Sequence, residues 1–153
     1  MKIFREQVLS SKRKESLLQL WNNEYPASLN HEAIHDFDLY LNSLSNAEHY
    51  FLLDRNKIKG WAFTFLRENE DWFAIIIDSQ IQGNGKGSLL IKELKKNNDS
   101  LNGWVIDHEN EIKNNAAPYK SPLLFYEKNG FTVCSEIRME NEKISAVKIK
   151  WQR

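Results

Sequence analysis

The chain has little of what would brace or anchor a protein from outside: one cysteine, three prolines, six glycines and no long apolar run in 153 residues. Cys134 alone cannot close an internal disulfide, so the fold must rest on its own core. No apolar stretch approaches the ~20 residues that cross a bilayer. The opening MKIFREQVLSSKRKE carries charges where a secretion signal needs an apolar centre. The expectation is a cytoplasmic protein with no membrane partner. Lys and Arg number 21, as do Asp and Glu, so there is no basic excess to hold nucleic acid by counterion release. Internal repeats, low-complexity tracts and flexible linkers are also missing, which predicts one domain over residues 1–153.

What the chain does have is apolar mass, 41% hydrophobic and 12% aromatic. KIFREQV reads as a short strand. Ser10 or Ser11 can cap a helix carrying Leu17, Leu18, Leu20 and Trp21 that ends before Pro26. Asn30 is the expected cap of a second helix, with Ile34, Phe37, Leu41 and Leu44 at helical spacing. From His49 to Asp78 the sequence is aromatic and β-branched, broken near Arg55-Asn56 and Glu68-Asn69-Glu70. This predicts three antiparallel strands, the last (WFAIIID) apolar on both faces and interior to the sheet. Ser88 to Lys96 reads as a helix, WVID as a buried strand and SPLLFYEKNG as a helix stopped at Gly130. FTVCSEIRME and ISAVKIKW close as a hairpin. The expected order is β-α-α-β-β-β-α-β-α-β-β, a mixed α+β fold.

QGNGKGS, following the WFAIIID strand and running into a helix, is an anion site in outline. Unpaired N–H groups of a first helical turn converge there, and alternate glycines clear the approach. A P-loop is disfavoured because Gly87 separates Lys86 from Ser88, and a dinucleotide fingerprint because the spacing is G-x-G-x-G after an antiparallel meander. Gln82-Gly83-Asn84-Gly85-Lys86-Gly87 instead matches Q/R-x-x-G-x-G/A, and FYEKNGF follows at the expected separation. On these residues and the strand order, the chain resembles the GNAT acetyltransferase superfamily.

That resemblance implies a mostly antiparallel twisted sheet of six or seven strands with about four helices, and acetyl-CoA as co-substrate without a metal. It implies that Gln82 to Ser88 (Gln82, Gly83, Asn84, Gly85, Lys86, Gly87, Ser88) wrap the pyrophosphate. Ile75 and Ile76 would line the pantetheine arm, and a backbone N–H at Ile77 would hold the acyl carbonyl. Tyr126 stands at the family's tyrosine, which protonates the departing thiolate. Two positions depart from the pattern. Lys86 replaces an apolar residue, and either adds charge near the phosphates or points to solvent; Tyr119 stands where the family often has asparagine. Asp71, Asp107 and His108 are the candidates for a base, and His108 has the suitable intrinsic pKa. The acceptor, a small-molecule or peptide amine, would enter near Trp21, Tyr25, Phe37, Tyr40 and the loop from His108 to Lys120. The chain would act as a monomer or homodimer.

Two rival readings belong to other classes. One is a non-catalytic acyl-CoA-binding module, against which Tyr126 argues. The other is a zinc protease through HEAIH, His31 to His35, which matches H-E-x-x-H. Against it, an Asn30 cap would leave His31 in an exposed first turn, and Asp38 and Leu41 occupy the remaining positions of the extended motif.

Overall fold

The computed structural model describes residues 1–153. Strand β1 (Lys2–Glu6) leads into helix α1 (Ser11–Glu24), and Ser10 caps it by accepting a hydrogen bond from Arg13 N at 3.2 Å. The helix stops at Tyr25, whose extended backbone is what a following proline demands. A single 3₁₀ turn (Ala27–Leu29) comes next, and Asn30 ends that turn instead of starting a helix. Helix α2 (Ile34–Asn42) begins three residues later than an Asn30 cap requires, with Ala33 at its N-cap and no side-chain cap. The expected cap is therefore wrong: the Asn30 side chain bonds Asn114 across the surface, and that pairing outcompetes a local capping role.

Strands β2 (Ser45–Asp54), β3 (Lys57–Arg67) and β4 (Glu70–Ile77) form the expected antiparallel meander. Both turns are two residues long with positive φ at each position, 50° and 67° at Arg55-Asn56 and 53° and 61° at Glu68-Asn69. That is the geometry that matches strand twist across a tight hairpin. After a 3₁₀ turn (Ser79–Ile81) and the glycine loop, helix α3 (Lys86–Asn97) precedes β5 (Ser100–Val105), α4 (Leu123–Lys128), β6 (Thr132–Glu140) and β7 (Ser145–Gln152). β5 lies four residues earlier at its start than WVID suggests. Its register against β7, Ser100↔Gln152 through Val105↔Val147, captures Ser100-Leu101-Asn102-Gly103 and releases Ile106 and Asp107.

The seven strands run β1-β2-β3-β4-β5-β7-β6 in one sheet. Residue alternation divides the apolar side chains between its two faces. Phe73, Ile75 and Ile77 pack with Leu90, Ile91 and Leu94 of α3 and Tyr126 of α4. Trp72, Ala74 and Ile76 pack with Trp61, Phe63 and Phe65 of β3, Leu17, Leu20 and Trp21 of α1, and Phe37 and Leu41 of α2. The only parallel neighbours, β4 and β5, pair at Trp72↔Asn102 and nowhere further along. The sheet therefore opens toward the C-terminal ends of these two strands.

Candidate active site

The opening between β4 and β5 is the centre of a cavity of about 720 Å³ that reaches both faces of the sheet. On the α3/α4 face its wall includes Ile75, Ile77, Gln82, Gly83, Gly85, Lys86, Gly87, Ser88, Phe125 and Tyr126. On the α1/α2 face it includes Trp21, Tyr25, Tyr40, Phe65, Arg67, Trp72, Ile76 and Trp104. Tyr119 and Lys120, from the loop after β5, lie on the same wall.

Backbone direction along β4 follows from one bond. Asp78 N donates to Lys59 O at 2.9 Å, so the amide and carbonyl of Asp78 face β3. Alternation then turns those of Ile77 toward β5, and the Ile77 carbonyl, accepting from Gln82 Nε2 at 2.9 Å, confirms that direction. With β5 splayed away, the Ile77 N–H faces the opening with no ladder partner. The side chains of the triplet are split: Ile75 and Ile77 belong to the α3/α4 face, whereas Ile76 is 3% exposed among the aromatic residues of the other.

The three glycines of the loop perform two different tasks. Gly83 and Gly85 have φ of 83° and 77°, left-handed values that cost other residues about 1–2 kcal/mol, and a Cβ on either would meet open space. Gly87 has no such torsion. A Cβ there would lie 2.8 Å from Phe125 Cζ, so this glycine lets α3 and α4 approach each other. Gly85 is the N-cap of α3, Lys86 its first residue, and Leu89 N the donor that bonds the Gly85 carbonyl. The amides of Lys86, Gly87 and Ser88 therefore point out of the helix end as free donors. Lys86 is half-buried on the cavity wall without an ion pair, and Asn84 is exposed outside that wall.

Tyr126 is 7% exposed, packed edge-on to Phe73, Phe125 and Phe131. Burial, with a smaller contribution from Tyr119, pushes its phenol well above the usual range. Burial raises Tyr119 and Tyr40 to about 12, the nearby Arg67 partly opposing it at Tyr40, and holds Tyr25 well up as well. All four phenols keep their protons at neutral pH, and none is hydrogen-bonded within the chain. Trp21 is chiefly a core residue, 7% exposed with its indole N–H donating to Leu29 O at 2.8 Å, and only an edge reaches the cavity. Phe37 is fully buried away from it.

The candidate bases are placed elsewhere. Both carboxylate oxygens of Asp107 accept from Arg138, at 2.8 and 3.0 Å, and this pairing holds its pKa below the usual value. His108 lies outside the cavity wall, its Nδ1 accepting from Asn110 N at 3.1 Å. Asp71 is likewise absent from the wall. The sole carboxylate on it is Glu24, whose two oxygens accept from Lys113 Nζ at 3.1 Å and Ser79 N at 2.9 Å. Sequence reading missed Glu24 and also Phe65, Arg67, Trp72 and Trp104, which read there as ordinary strand residues.

HEAIH does not form the helical zinc pattern. His31 precedes α2 and His35 lies within it, so the two do not share one helix face. His31 instead packs against Trp21, Phe37 and Tyr40, and burial lowers its pKa. No group of three or more His, Cys, Asp or Glu side chains is placed to hold a metal ion.

The family model described as "Acetyltransferase (GNAT) domain" matches residues 12–153. The chain belongs to the GNAT acetyltransferase family. That membership makes it an acyltransferase, and it accounts for the order of elements around the splayed strands. No curated protein matches the GNAT chain by sequence. Among solved structures, it is similar to an aminoglycoside 6'-N-acetyltransferase complexed with coenzyme A, at 14% identity over 99% of this chain and 97% of that one, TM-score 0.74. The aminoglycoside 6'-N-acetyltransferase from Enterococcus faecium superposes at 13% identity, 99% and 97% coverage, TM-score 0.72. The ribosomal-protein-alanine N-acetyltransferase from Brucella melitensis does so at 14% identity over all of both chains, TM-score 0.67. At these identities the likeness is one of fold. No helix of the GNAT chain is long and apolar enough to cross a membrane.

Proposed function

We propose that residues 1–153 act as one N-acetyltransferase domain that moves the acetyl group of acetyl-CoA to a primary amine by direct attack in a ternary complex. The observation that carries this reading is the gap between β4 and β5, through which a single cavity joins the glycine loop to an aromatic lobe with Tyr126 on its wall.

The residues present fit the co-substrate. Left-handed glycines at Gly83 and Gly85 and three free amides at the start of α3 form a cradle for a pyrophosphate, to which half-buried Lys86 adds a positive charge. Of its two sequence alternatives, Lys86 is assigned the phosphate role. Ile75 and Ile77 line the path from the loop to the opening. Acetyl-CoA supplies an activated acyl thioester. The free N–H of Ile77 donates to the acyl oxygen, and Tyr126, neutral because it is buried, holds the proton that the departing sulfur needs at its Oη. The acceptor occupies the α1/α2 lobe beside Tyr25 and the edge of Trp21. Its first ammonium proton goes to solvent in the open cavity instead of to His108, which lies outside the wall, and the proton that the nitrogen sheds after attack replaces the one Tyr126 gives to sulfur.

Aminoglycoside, the acceptor named for two structural neighbours, is not carried over. Aminoglycosides bear several ammonium groups, and this cavity has no free carboxylate to receive them. The test has two arms. Millimolar acetyl-CoA should raise the melting temperature, as a ligand of the native state does well above its Kd. Acetyl-CoA-dependent release of CoA should then appear with some members of a panel of primary amines. A thermal shift without turnover on any amine would favour a binding module; no shift would remove the reading altogether.

A further inference from the structure

Arg67, the last residue of β3, is a cation without a carboxylate. Its guanidinium lies 5.0 Å from the centre of the Phe65 ring and 5.7 Å from that of Trp72, stacked in the corner where β3 turns into β4. Its cross-strand neighbour, Glu70, would be the natural ion-pair partner. Glu70 is instead drawn across the sheet by Lys150 at 3.4 Å and Lys148 at 3.9 Å, both on β7. The guanidinium keeps its N–H fork free, held by two aromatic rings, and it lines the same cavity that reaches Tyr126. Beside it, the indole Nε1 of Trp72 is a buried donor with no acceptor in the chain. The indole N–H is closed off from the cavity and takes no part in binding; Arg67 is exposed, so its fork exchanges water for an anionic acceptor without first breaking an ion pair.

The rest of this lobe specifies what accompanies that acceptor. Phe65, Trp72, Trp104 and Tyr40 make the surface between Arg67 and the opening apolar and aromatic. The lobe's carboxylate, Glu24, has both oxygens engaged. We propose that the acceptor is a primary amine whose carboxylate lies at the far end of an extended, largely apolar chain, with Arg67 at the β3–β4 turn binding the carboxylate and the aromatic wall the chain that leads from it toward Ile77. The inference rests on the acetyltransferase reading, deepens it to a substrate class, and makes Arg67 a specificity-determining residue. A guanidinium presented flat on aromatic rings matches a carboxylate with two parallel hydrogen bonds, and a neutral amide cannot reproduce that charge-assisted pair.

Acetylated products test this without requiring turnover. The full chain saturated with CoA is titrated with N-acetyl-8-aminooctanoate and N-acetyl-L-leucyl-L-phenylalanyl-L-leucine, each beside its neutral amide, and with N1-acetylspermidine as the polycationic arm. The carboxylates should bind at least about tenfold more tightly than their amides, the scale of a hydrogen bond to a charged group. Arg67→Met should erase that preference while leaving amide affinity within about twofold, and Arg67→Lys should retain part of it. Arg67 is exposed at the sheet end, so both variants should keep the melting temperature and its rise with CoA. Equal binding of acid and amide, tighter binding of acetylspermidine, a preference that survives Arg67→Met, or no binding by any probe would each overturn the inference. If CoA itself gives no thermal shift to the unmodified chain, it is the acetyltransferase reading that fails.

Discussion

The two halves of the cavity are made of different material. On the α3/α4 face the proposed contacts are backbone: the Ile77 amide, two left-handed glycines and the first turn of α3, with Tyr126 as the main exception. On the α1/α2 face they are side chains from five elements and the loops between them, chiefly aromatic, with Arg67 and, from the loop after β5, Lys120 as cations without an ion pair. Neighbours on one strand serve opposite halves, Ile75 and Ile77 one and Trp72 and Ile76 the other. A site of backbone amides recognises a constant group and is insensitive to most substitutions. A site of side chains can be changed residue by residue, which is how one fold keeps its donor and varies its acceptor.

Removing the one side chain that the donor half cannot do without should produce the largest effect. Tyr126→Phe keeps the ring against Phe73 and Phe131 and deletes only the hydroxyl. Loss of a positioned acid typically costs about 10²–10⁴ in rate. We expect kcat to fall by at least about 100-fold with the acetyl-CoA KM changed by less than about threefold. Steady-state CoA release measures both, and an unchanged kcat would mean that the phenol is only packing.

The same contrast explains what the sequence discloses. Gly83, Gly85 and Gly87 announce the donor half because glycine is costly anywhere its freedom is not needed. FYEKNGF announces α4 because Gly130, at φ 88°, must end it. Trp72 and Trp104 announce nothing: an aromatic residue on a buried strand is ordinary core, and only the loss of pairing beyond Asn102 exposes these two to a cavity. Arg67 looks like any arginine at a turn until Glu70 is seen to pair with β7, a contact across 80 residues of sequence. The helix start missed at Asn30 has a similar cause, a bond to Asn114. Local chemistry is legible; partners brought together by the sheet are not.

The halves should also differ in their response to acid. His49 lies under the aromatic face, 3% exposed, stacked on Phe51 and Trp61 and accepting from the Trp61 indole at 3.1 Å. Burial lowers its pKa to about 4, with Glu48 and Glu6 opposing weakly. The unfolded chain, with His near ~6.5, binds more protons than the folded one between those values, so stability rises with pH across that window. As pH falls from about 6.5 toward 4, folding should lose up to about 3 kcal/mol through this residue alone. His49→Gln, which can still accept from Trp61, should flatten that part of the stability profile in urea melts. An equally steep profile in the variant would place the acid sensitivity elsewhere.

Within the donor half, the two kinds of glycine can be separated. Gly87→Ala places a methyl 2.8 Å from the Phe125 ring, an overpacking that costs about 1–3 kcal/mol, or some 2–4 °C of Tm per kcal/mol in a chain of this size. Trimming the obstacle should restore part of it, so Phe125→Leu and Gly87→Ala should be less than additive. Gly85→Ala meets no atom, and its cost of about 1–2 kcal/mol comes from a φ of 77°. Phe125→Leu should leave that cost unchanged, because no contact is relieved. Gly85→Ala should also weaken the thermal shift given by acetyl-CoA more than Gly87→Ala does, since relaxing the torsion turns the α3 amides away from the phosphate cradle. If Phe125→Leu rescues both glycine variants equally, the loop is one packed unit, and its division into a torsion for the ligand and a gap for the helix is wrong.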